Sequence, residues 1–200
     1  MKITHPVIII PGLSDETRGL LSVTRHWRRY GLEPIVHAVG WHDGEDSFQR
    51  KLNKLVSLID ALSKRSDTVS IIGTSAGGSA ALNAFCVRKE KVQSVISICA
   101  RLRTGPLHGY RSFQSKTASS PAFAQSVKMF EQREKALRVS DRQKIMTVRA
   151  LFGDELVPSE TAIVDGAYNT TVPTPEHLFS IGMSLTFFSR PLLMFLSRTH

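Results

Sequence analysis

The 200-residue chain is 42% hydrophobic, carries a formal net charge of +9 and contains two cysteines, Cys86 and Cys99. Its length and apolar content are typical of a single domain with a buried core, which we predict over residues 1–200, and they exclude a disulfide-stapled miniprotein. Since each cysteine lies in a segment predicted to be buried, we interpret both as small core residues rather than a bridge or a metal pair. The seven histidines are scattered and no Cys/His cluster has zinc spacing, so no metal site and no cofactor are predicted.

The first half of the sequence alternates between apolar runs and helical patterns. Residues 6–10 form a continuous apolar run, which predicts a strand buried on both faces of a parallel sheet. Helical spacing follows over residues 17–30, and the next residue, Gly31, ends the predicted helix. The next predicted elements are a strand at 35–39, a long helix from Phe48, a strand at 68–72, a helix at 77–88 and a strand at 92–99. This alternation predicts an α/β fold with a parallel, right-handed doubly wound sheet.

The alternation stops after residue 100. Residues 101–144 are rich in Ser, Gln, Lys and Arg, and their one predicted helix runs from about residue 121 to 137. We interpret this segment as a lid-like insertion over the strand ends; a crossover helix with a long irregular approach is the alternative. The remaining predicted elements are a strand at 146–152, a short helix after Pro158, a weak strand at 169–172 and a last helix from Leu178.

A glycine-rich turn lies between the third predicted strand and its helix. Residues 73–77 read Gly-Thr-Ser-Ala-Gly, and the order of strand, tight turn and helix is that of a nucleophile elbow. Such a turn exposes the hydroxyl of Ser75, while Gly73 and Gly77 occupy positions too crowded for a larger residue. An ordinary glycine turn between strand and helix is the alternative.

Two further polar residues follow later strands. Asp154 comes after the fifth predicted strand and His177 after the sixth, and the carboxyl ends of parallel strands meet at one edge of a sheet. We therefore predict that His177 takes the proton of Ser75 and that Asp154 fixes the tautomer of the imidazole. Asp154 is preferred to Glu155 because of its spacing to the Val-Pro pair at 157–158. The alternatives are a helix-capping carboxylate at 154 and a surface histidine at 177.

Attack of a serine on a carbonyl places negative charge on the carbonyl oxygen. Two backbone N–H groups are needed to stabilise that charge. We predict that Ala76, the residue after Ser75, supplies one, and that Leu13, in the loop after the first strand, supplies the other. Gly12 allows the backbone of this loop to turn toward the site.

These motifs resemble those of the α/β-hydrolases, in particular the compact bacterial serine esterases and lipases, over the whole chain. The motifs that carry the resemblance are residues 8–13, 73–78, 153–158 and 176–180. It implies a six-stranded parallel sheet flanked by helices, without the two antiparallel N-terminal strands usual in such proteins. It also implies a Ser-His-Asp enzyme that cleaves a small-molecule or lipid-like ester through an acyl-enzyme. The chain differs in having Pro11 and Glu176 where a histidine and a glycine are common.

Other functions share these residues. The same triad serves thioesterases, amidases and acyltransferases, and a non-catalytic binding module is a further alternative. The positive charge favours acidic partners, so weak binding to an anionic surface is expected, but no nucleic-acid motif accompanies it and no specific nucleic acid is predicted. Ten basic residues fall in three groups: Arg25, Arg28 and Arg29 on one predicted helix, Arg101 and Arg103 at a strand end, and Arg133, Lys135, Arg138, Arg142 and Lys144 in one polar stretch.

Neither end of the sequence has the pattern of a membrane or export segment. The first six residues lead directly into a strand without the pattern of a signal peptide. The apolar residues 185–196 include Arg190 and Pro191 and are too few to span a bilayer, so a closing core helix is expected there. We expect a cytoplasmic protein.

Overall fold

The computed structural model describes residues 4–106 and 108–198 of the chain. Within these residues, six strands form one sheet in the order β2-β1-β3-β4-β5-β6, and all neighbouring strands are parallel. The strands are His5–Ile10 (β1), Leu32–Val36 (β2), Val69–Thr74 (β3), Val92–Ile98 (β4), Ile145–Ala150 (β5) and Tyr168–Val172 (β6). The predicted six-stranded parallel sheet is thereby confirmed.

Helices cover both faces of this sheet. In the described ranges, the α-helices are Arg18–Thr24 (α1), Phe48–Ser66 (α2), Ala76–Val87 (α3), Phe113–Thr117 (α4), Pro121–Arg133 (α5), Val139–Gln143 (α6), His177–Leu185 (α7) and Arg190–Leu196 (α8). Short 3₁₀ segments occur at Arg25–Tyr30, Glu134–Ala136 and Ser159–Thr161.

The side chains of β1 show how the core is divided. Ile8 and Ile10 belong to a cluster that includes residues of α2, α3 and α5, whereas Val7 and Ile9 belong to a second cluster that includes residues of α7 and α8. Successive side chains of a strand point to opposite faces, so helices on both faces leave all four of these side chains with no exposure. A strand covered on both faces carries apolar side chains at successive positions instead of alternating apolar and polar ones, and this explains the continuous apolar run.

The second strand was predicted at residues 35–39, which is wrong by three residues. The φ angle of Gly31 is +76°, and this left-handed residue ends the preceding 3₁₀ segment. Pairing with β1 begins immediately, with His5 opposite Leu32. Pro34 has no N–H to donate to a neighbouring strand, and β2 tolerates it because this strand lies at the edge of the sheet.

Two predicted helices are each divided in the structure. The single helix predicted over residues 17–30 consists of α1 and a 3₁₀ segment, and the C-terminal helix is broken between α7 and α8. At each break a threonine donates back to a carbonyl four residues earlier: Thr24 Oγ1 lies 2.7 Å from the Leu20 oxygen, and Thr186 Oγ1 lies 2.7 Å from the Gly182 oxygen. Such side-chain bonds compete with the helical pattern and bend helices.

Residues 101–144 pack against the body of the domain. The helix predicted over 121–137 ends earlier, as α5 at Arg133, and α4 and α6 were not predicted. Ser120 caps α5 by accepting from the N–H of Phe123, and Pro121 occupies its first turn. The buried side chains of Phe123, Val127 and Phe130 join the same core cluster as α3. This packing favours the crossover alternative, while the lid-like role stays a prediction.

The cysteines and the apolar C-terminal segment lie where the sequence places them. Both cysteines are free, and burial raises the pKa of the Cys86 thiol to about 11 and that of Cys99 to about 12. Helix α8 packs into the second core cluster. Among the described residues no single helix is long and apolar enough to cross a membrane; α7 and α8 reach that length and apolarity only as a pair, bent by 60°.

Candidate active site

Ser75 lies in a strained turn at the carboxyl end of β3. Its φ of +52° and ψ of −125° are rare for a residue with a side chain, and its N–H donates to the Ile98 carbonyl at 2.9 Å. A Cβ on Gly73 would collide with the Gly77 carbonyl, and one on Gly77 would collide with the Ile10 carbonyl. The elbow therefore depends on glycine at both positions, because the backbone segments on either side of the serine approach so closely.

The structure brings Ser75, His177 and Asp154 into one hydrogen-bonded row. His177 Nε2 lies 2.8 Å from Ser75 Oγ, and His177 Nδ1 lies 2.7 Å from Asp154 Oδ2. The three residues follow the ends of β3, β5 and β6. The imidazole and the carboxylate are almost completely buried, whereas the serine is partly exposed. A reactant from solvent can therefore reach the hydroxyl of Ser75, while the groups behind it are shielded from water.

The two carboxylate oxygens of Asp154 have separate partners. Oδ1 accepts from the N–H groups of Leu156 at 2.8 Å and Val157 at 2.9 Å, which leaves Oδ2 for His177. Arg111 also donates to the Asp154 carbonyl oxygen at 3.2 Å. The carboxylate does not cap the next helical segment, which begins at Ser159 and has no side-chain cap. Its two bonds to the loop backbone instead aim the other oxygen at the imidazole.

Two glutamates next to the site residues, for which sequence analysis predicted no role, accept hydrogen bonds from the backbone at the start of α7. Glu155 Oε2 accepts from the His177 N–H at 3.0 Å, so this carboxylate lies on the backbone and not on the ring. Glu176 has a φ of +68°, and its side chain accepts from the N–H groups of Leu178 and Phe179 at the start of α7. Their roles depend on tertiary geometry and on a positive φ angle, for which the local sequence carries no signal.

The loop after β1 passes directly over the serine. A Cβ on Gly12 would lie 2.9 Å from Ser75 Cβ and 3.4 Å from its Oγ, so only glycine allows this approach without displacement. In the part of the chain that the structure describes, the N–H groups of Leu13 and Ala76 have no backbone or side-chain acceptor. Their role as donors to an oxyanion beside Ser75 stays a prediction.

Asp15 fixes this loop and was not singled out by sequence reasoning. Its φ is +51°, and its N–H closes a turn by donating to the Gly12 carbonyl at 3.0 Å. Its carboxylate accepts from the N–H groups of Val39 at 2.9 Å, Gly40 at 3.2 Å and Trp41 at 2.7 Å. These donors lie 24 to 26 residues away, so no local pattern could have indicated them.

An apolar cleft of about 700 Å³ leads to Ser75 and His177. Its walls come from the loop after β1, from α1 and from α7, and no described residue between 101 and 144 lines it. The apolar lining side chains include Leu13, Leu20, Val23, Leu156, Ile181 and Leu185. Within the described ranges, no group of three or more His, Cys, Asp or Glu residues could hold a metal ion. The site thus combines an exposed hydroxyl, an adjacent imidazole and a hydrophobic surface for a ligand.

Known structures share this architecture. No protein-family model and no curated protein matches the sequence. Est1E from Butyrivibrio proteoclasticus superposes with a TM-score of 0.68 at 16% identity, covering 99% of this chain and 90% of Est1E. A structure reported for LipS and LipT, two metagenome-derived lipolytic enzymes, gives 0.65 at 13% identity, with 97% and 92% covered. The meta-cleavage product hydrolase CumD from Pseudomonas fluorescens IP01 gives 0.62 at 16% identity, with 96% and 90% covered.

These neighbours are α/β-hydrolases, and the chain has the α/β-hydrolase fold. The resemblance indicated by the motifs of the sequence is confirmed at the level of the fold.

Proposed function

We propose that this protein is a serine hydrolase that cleaves carboxylic esters through an acyl-enzyme. The observation that carries the proposal is the continuous row of hydrogen bonds from Ser75 Oγ through His177 to Asp154, at 2.8 and 2.7 Å, beside an apolar cleft. A serine hydroxyl becomes a strong nucleophile only when a base removes its proton during attack, and His177 Nε2 is within hydrogen-bonding distance to do so.

The proposed reaction proceeds in two halves. Ser75 Oγ attacks the ester carbonyl, its proton passes to His177 Nε2, and the N–H groups of Leu13 and Ala76 stabilise the resulting oxyanion. The tetrahedral intermediate expels the alcohol, which takes the proton from His177. A water molecule then attacks the acyl-enzyme while His177 takes its proton, and His177 returns this proton to Ser75 Oγ as the carboxylic acid leaves. Throughout, Asp154 keeps the Nδ1–H tautomer and stabilises the imidazolium.

The lining of the cleft supports an ester with an apolar acyl group. Leucine, isoleucine and valine side chains surround the approach to Ser75, and burial of each methylene of an acyl chain against them contributes about 0.8 kcal/mol. Among the structural neighbours, Est1E is known with ferulic acid bound, and LipS and LipT are described as lipolytic. These descriptions agree with an apolar or aromatic acyl group.

Substitution of Ser75 tests the proposal directly. The wild type should hydrolyse p-nitrophenyl esters and should be labelled by a fluorophosphonate probe on the peptide that contains Ser75. Ser75→Ala should lower kcat by about 10⁴- to 10⁶-fold and abolish labelling. Its thermal unfolding should be unchanged, because the hydroxyl contributes little to the core. A wild type that neither turns over esters nor reacts with the probe would overturn the proposal.

The leaving group is tested with the acyl group held constant. A panel of esters from acetyl to palmitoyl should show kcat/KM rising with chain length until the cleft is filled. Thioesters and anilides of the best acyl group then compare the three bond types on one enzyme. Faster turnover of the thioester or anilide would reassign the reaction to a thioesterase or amidase that uses the same residues.

A further inference from the structure

Two chain segments beside the cleft carry positive charge without any acidic residue. Residues 17–31 and 177–198 contain six arginines and no Asp or Glu. All six are exposed, and no ion pair joins any of them to a carboxylate of the described residues. They are Arg18, Arg25, Arg28, Arg29, Arg190 and Arg198.

The carboxylates that directly precede the two segments already accept hydrogen bonds from backbone N–H groups. Glu16 accepts from the N–H of Gly19 at 2.9 Å, and Glu176 accepts from two N–H groups of α7. Two arginines of residues 101–144 have an acidic partner: Arg103 lies 2.7 Å from Glu134, and Arg142 lies 3.7 Å from the same carboxylate. The six arginines of the two segments differ from this pair in having no carboxylate partner among the described residues.

The same two segments expose large apolar side chains. Of the twelve large hydrophobic residues that are exposed in the described ranges, seven belong to them. Phe187 is 84% exposed and Leu178 is 70% exposed. The full set is Leu21, Tyr30, Leu178, Phe179, Phe187, Phe188 and Met194. Exposed apolar side chains that are grouped in one patch mark an interaction site, whereas single scattered ones do not.

These arginines and apolar side chains form one surface, because α1 and α7 share the walls of the cleft at Ser75. A second depression of about 790 Å³ joins the 3₁₀ segment to α8, with His26 and Tyr30 on one side and Phe187 and Arg190 on the other. We call the surface formed by residues 17–31 and 177–198 the α1–α7–α8 face. Its helices α1 and α7 form two of the walls of the cleft.

We infer that the α1–α7–α8 face docks on an anionic lipid bilayer and holds the entrance of the Ser75 cleft against it. Arginines near an anionic bilayer contribute about 1 kcal/mol each, and aromatic and aliphatic side chains enter the boundary between headgroups and acyl chains. A nucleic acid would satisfy the arginines but not the seven apolar side chains. That the docked protein acts on membrane esters rests on the proposed function, whereas the docking itself does not.

Vesicle flotation with the full chain tests the inference. Vesicles of phosphatidylcholine alone are compared with vesicles containing about 30 mol% phosphatidylserine. Binding should be strong to the anionic vesicles, weak to the neutral ones, and reduced by added salt. Absence of binding to anionic vesicles at low salt would overturn it, and so would capture by heparin without capture by vesicles.

Charge-reversed variants distinguish this face from the overall charge. Arg28→Glu combined with Arg29→Glu should weaken binding by about 30-fold or more, since two attractive charges are lost and two repulsive ones are introduced. The matched control is Lys54→Glu combined with Lys64→Glu, on exposed positions of α2, and should weaken binding far less. Equal losses in both variants would show that only net charge matters and would overturn the inference.

Two further variants separate the apolar contribution and the catalytic proposal. Phe187→Ser should weaken binding about tenfold at every salt concentration, because an exposed phenyl ring no longer enters the bilayer. Ser75→Ala should bind vesicles as the wild type does. A protein that hydrolyses esters but does not bind vesicles would refute the docking and leave the proposed function standing. A protein that binds vesicles but hydrolyses no ester would refute the proposed function and leave the docking standing. Unchanged binding by Phe187→Ser would contradict insertion of this face.

Discussion

The two faces of the sheet differ in the charged and apolar side chains of their outer surfaces. On the α2–α3–α5 face several charges are paired: Asp60 of α2 accepts from Arg88 and Lys91, and Lys51, which is fully buried, contacts Asp43. On the α1–α7–α8 face, six arginines have no carboxylate partner among the described residues, and large apolar side chains remain exposed. Both faces bury a core, and the difference lies in the outer surface, where the α1–α7–α8 face keeps unpaired arginines and exposed apolar side chains.

The candidate site lies at the edge where the two faces meet. Ser75 precedes α3, which packs on the first face, and His177 begins α7, which packs on the second. If the comparison is right, substitutions on the first face should change stability, and substitutions at the edge or on the second face should change substrate handling.

The largest effect is expected for Asp154→Asn, at the edge. The asparagine oxygen can still accept from Leu156 and Val157, but its amide nitrogen then donates to His177 Nδ1 in place of the carboxylate. This forces the proton onto Nε2, which can no longer accept the proton of Ser75. We expect kcat to fall by about 10⁴-fold with little change in Tm.

Glu155→Gln is the matched control for Asp154→Asn. Its side-chain oxygen can still accept from the His177 N–H, so kcat should change by less than about tenfold. If this variant loses as much activity as Asp154→Asn, then the carboxylate that serves the imidazole has been assigned incorrectly.

Truncation on the two faces should separate stability from substrate binding. Phe85 of α3 is completely buried in the first cluster, so Phe85→Ala should lower the free energy of unfolding by about 3–5 kcal/mol. Leu20 of α1 is partly buried and lines the cleft. We expect Leu20→Ala to lower the free energy of unfolding by less than about 1 kcal/mol and to raise KM for long acyl esters. Chemical denaturation and kinetics with short and long esters measure both quantities, and equal destabilisation by the two variants would remove the contrast between the faces.

Much of this arrangement could be predicted because it depends on local pattern. The apolar run of β1, the elbow around Ser75 and the positions of Asp154 and His177 after strands follow from side-chain periodicity and the topology of parallel sheets. A parallel sheet brings the carboxyl ends of its strands together whatever the lengths of the connections. Residues separated by 102 positions can therefore be assigned to one place before the structure is known.

The errors arose where tertiary contacts override local pattern. The second strand was predicted to begin only after Pro34, but an edge position removes the penalty of proline. The polar residues of 101–144 did not indicate that α5 buries Phe130 in the core, and the lid-like role of this segment stays a prediction. The role of Asp15 depends on three N–H groups that the chain brings near only when it folds.

Asp15→Asn tests whether this residue positions the oxyanion loop. Asparagine tolerates the positive φ, and its oxygen can replace Oδ1, so the chief loss is the acceptor for the Trp41 N–H. An unsatisfied buried donor costs about 1–3 kcal/mol, which should appear in part as lost stability. If Asp15 positions the loop, Asp15→Asn should also lower kcat about tenfold with KM nearly unchanged, because the N–H of Leu13 would form a poorer hydrogen bond to the oxyanion. A variant that is less stable but has normal kcat would assign Asp15 a purely structural role.

The smallest effect is expected for Asp60→Asn, on the paired face. Hydrogen bonds from Arg88 and Lys91 lower the pKa of Asp60 from 3.8 to about 2. A carboxyl group whose pKa is lower in the folded state stabilises the fold above the unfolded pKa and loses that effect as the pH falls through the folded pKa. The difference in Tm between wild type and Asp60→Asn should therefore be constant at neutral pH, corresponding to about 1 kcal/mol or less, and should shrink between about pH 4 and pH 2. A difference for Asp60 that grows in acid would contradict the pairing on this face.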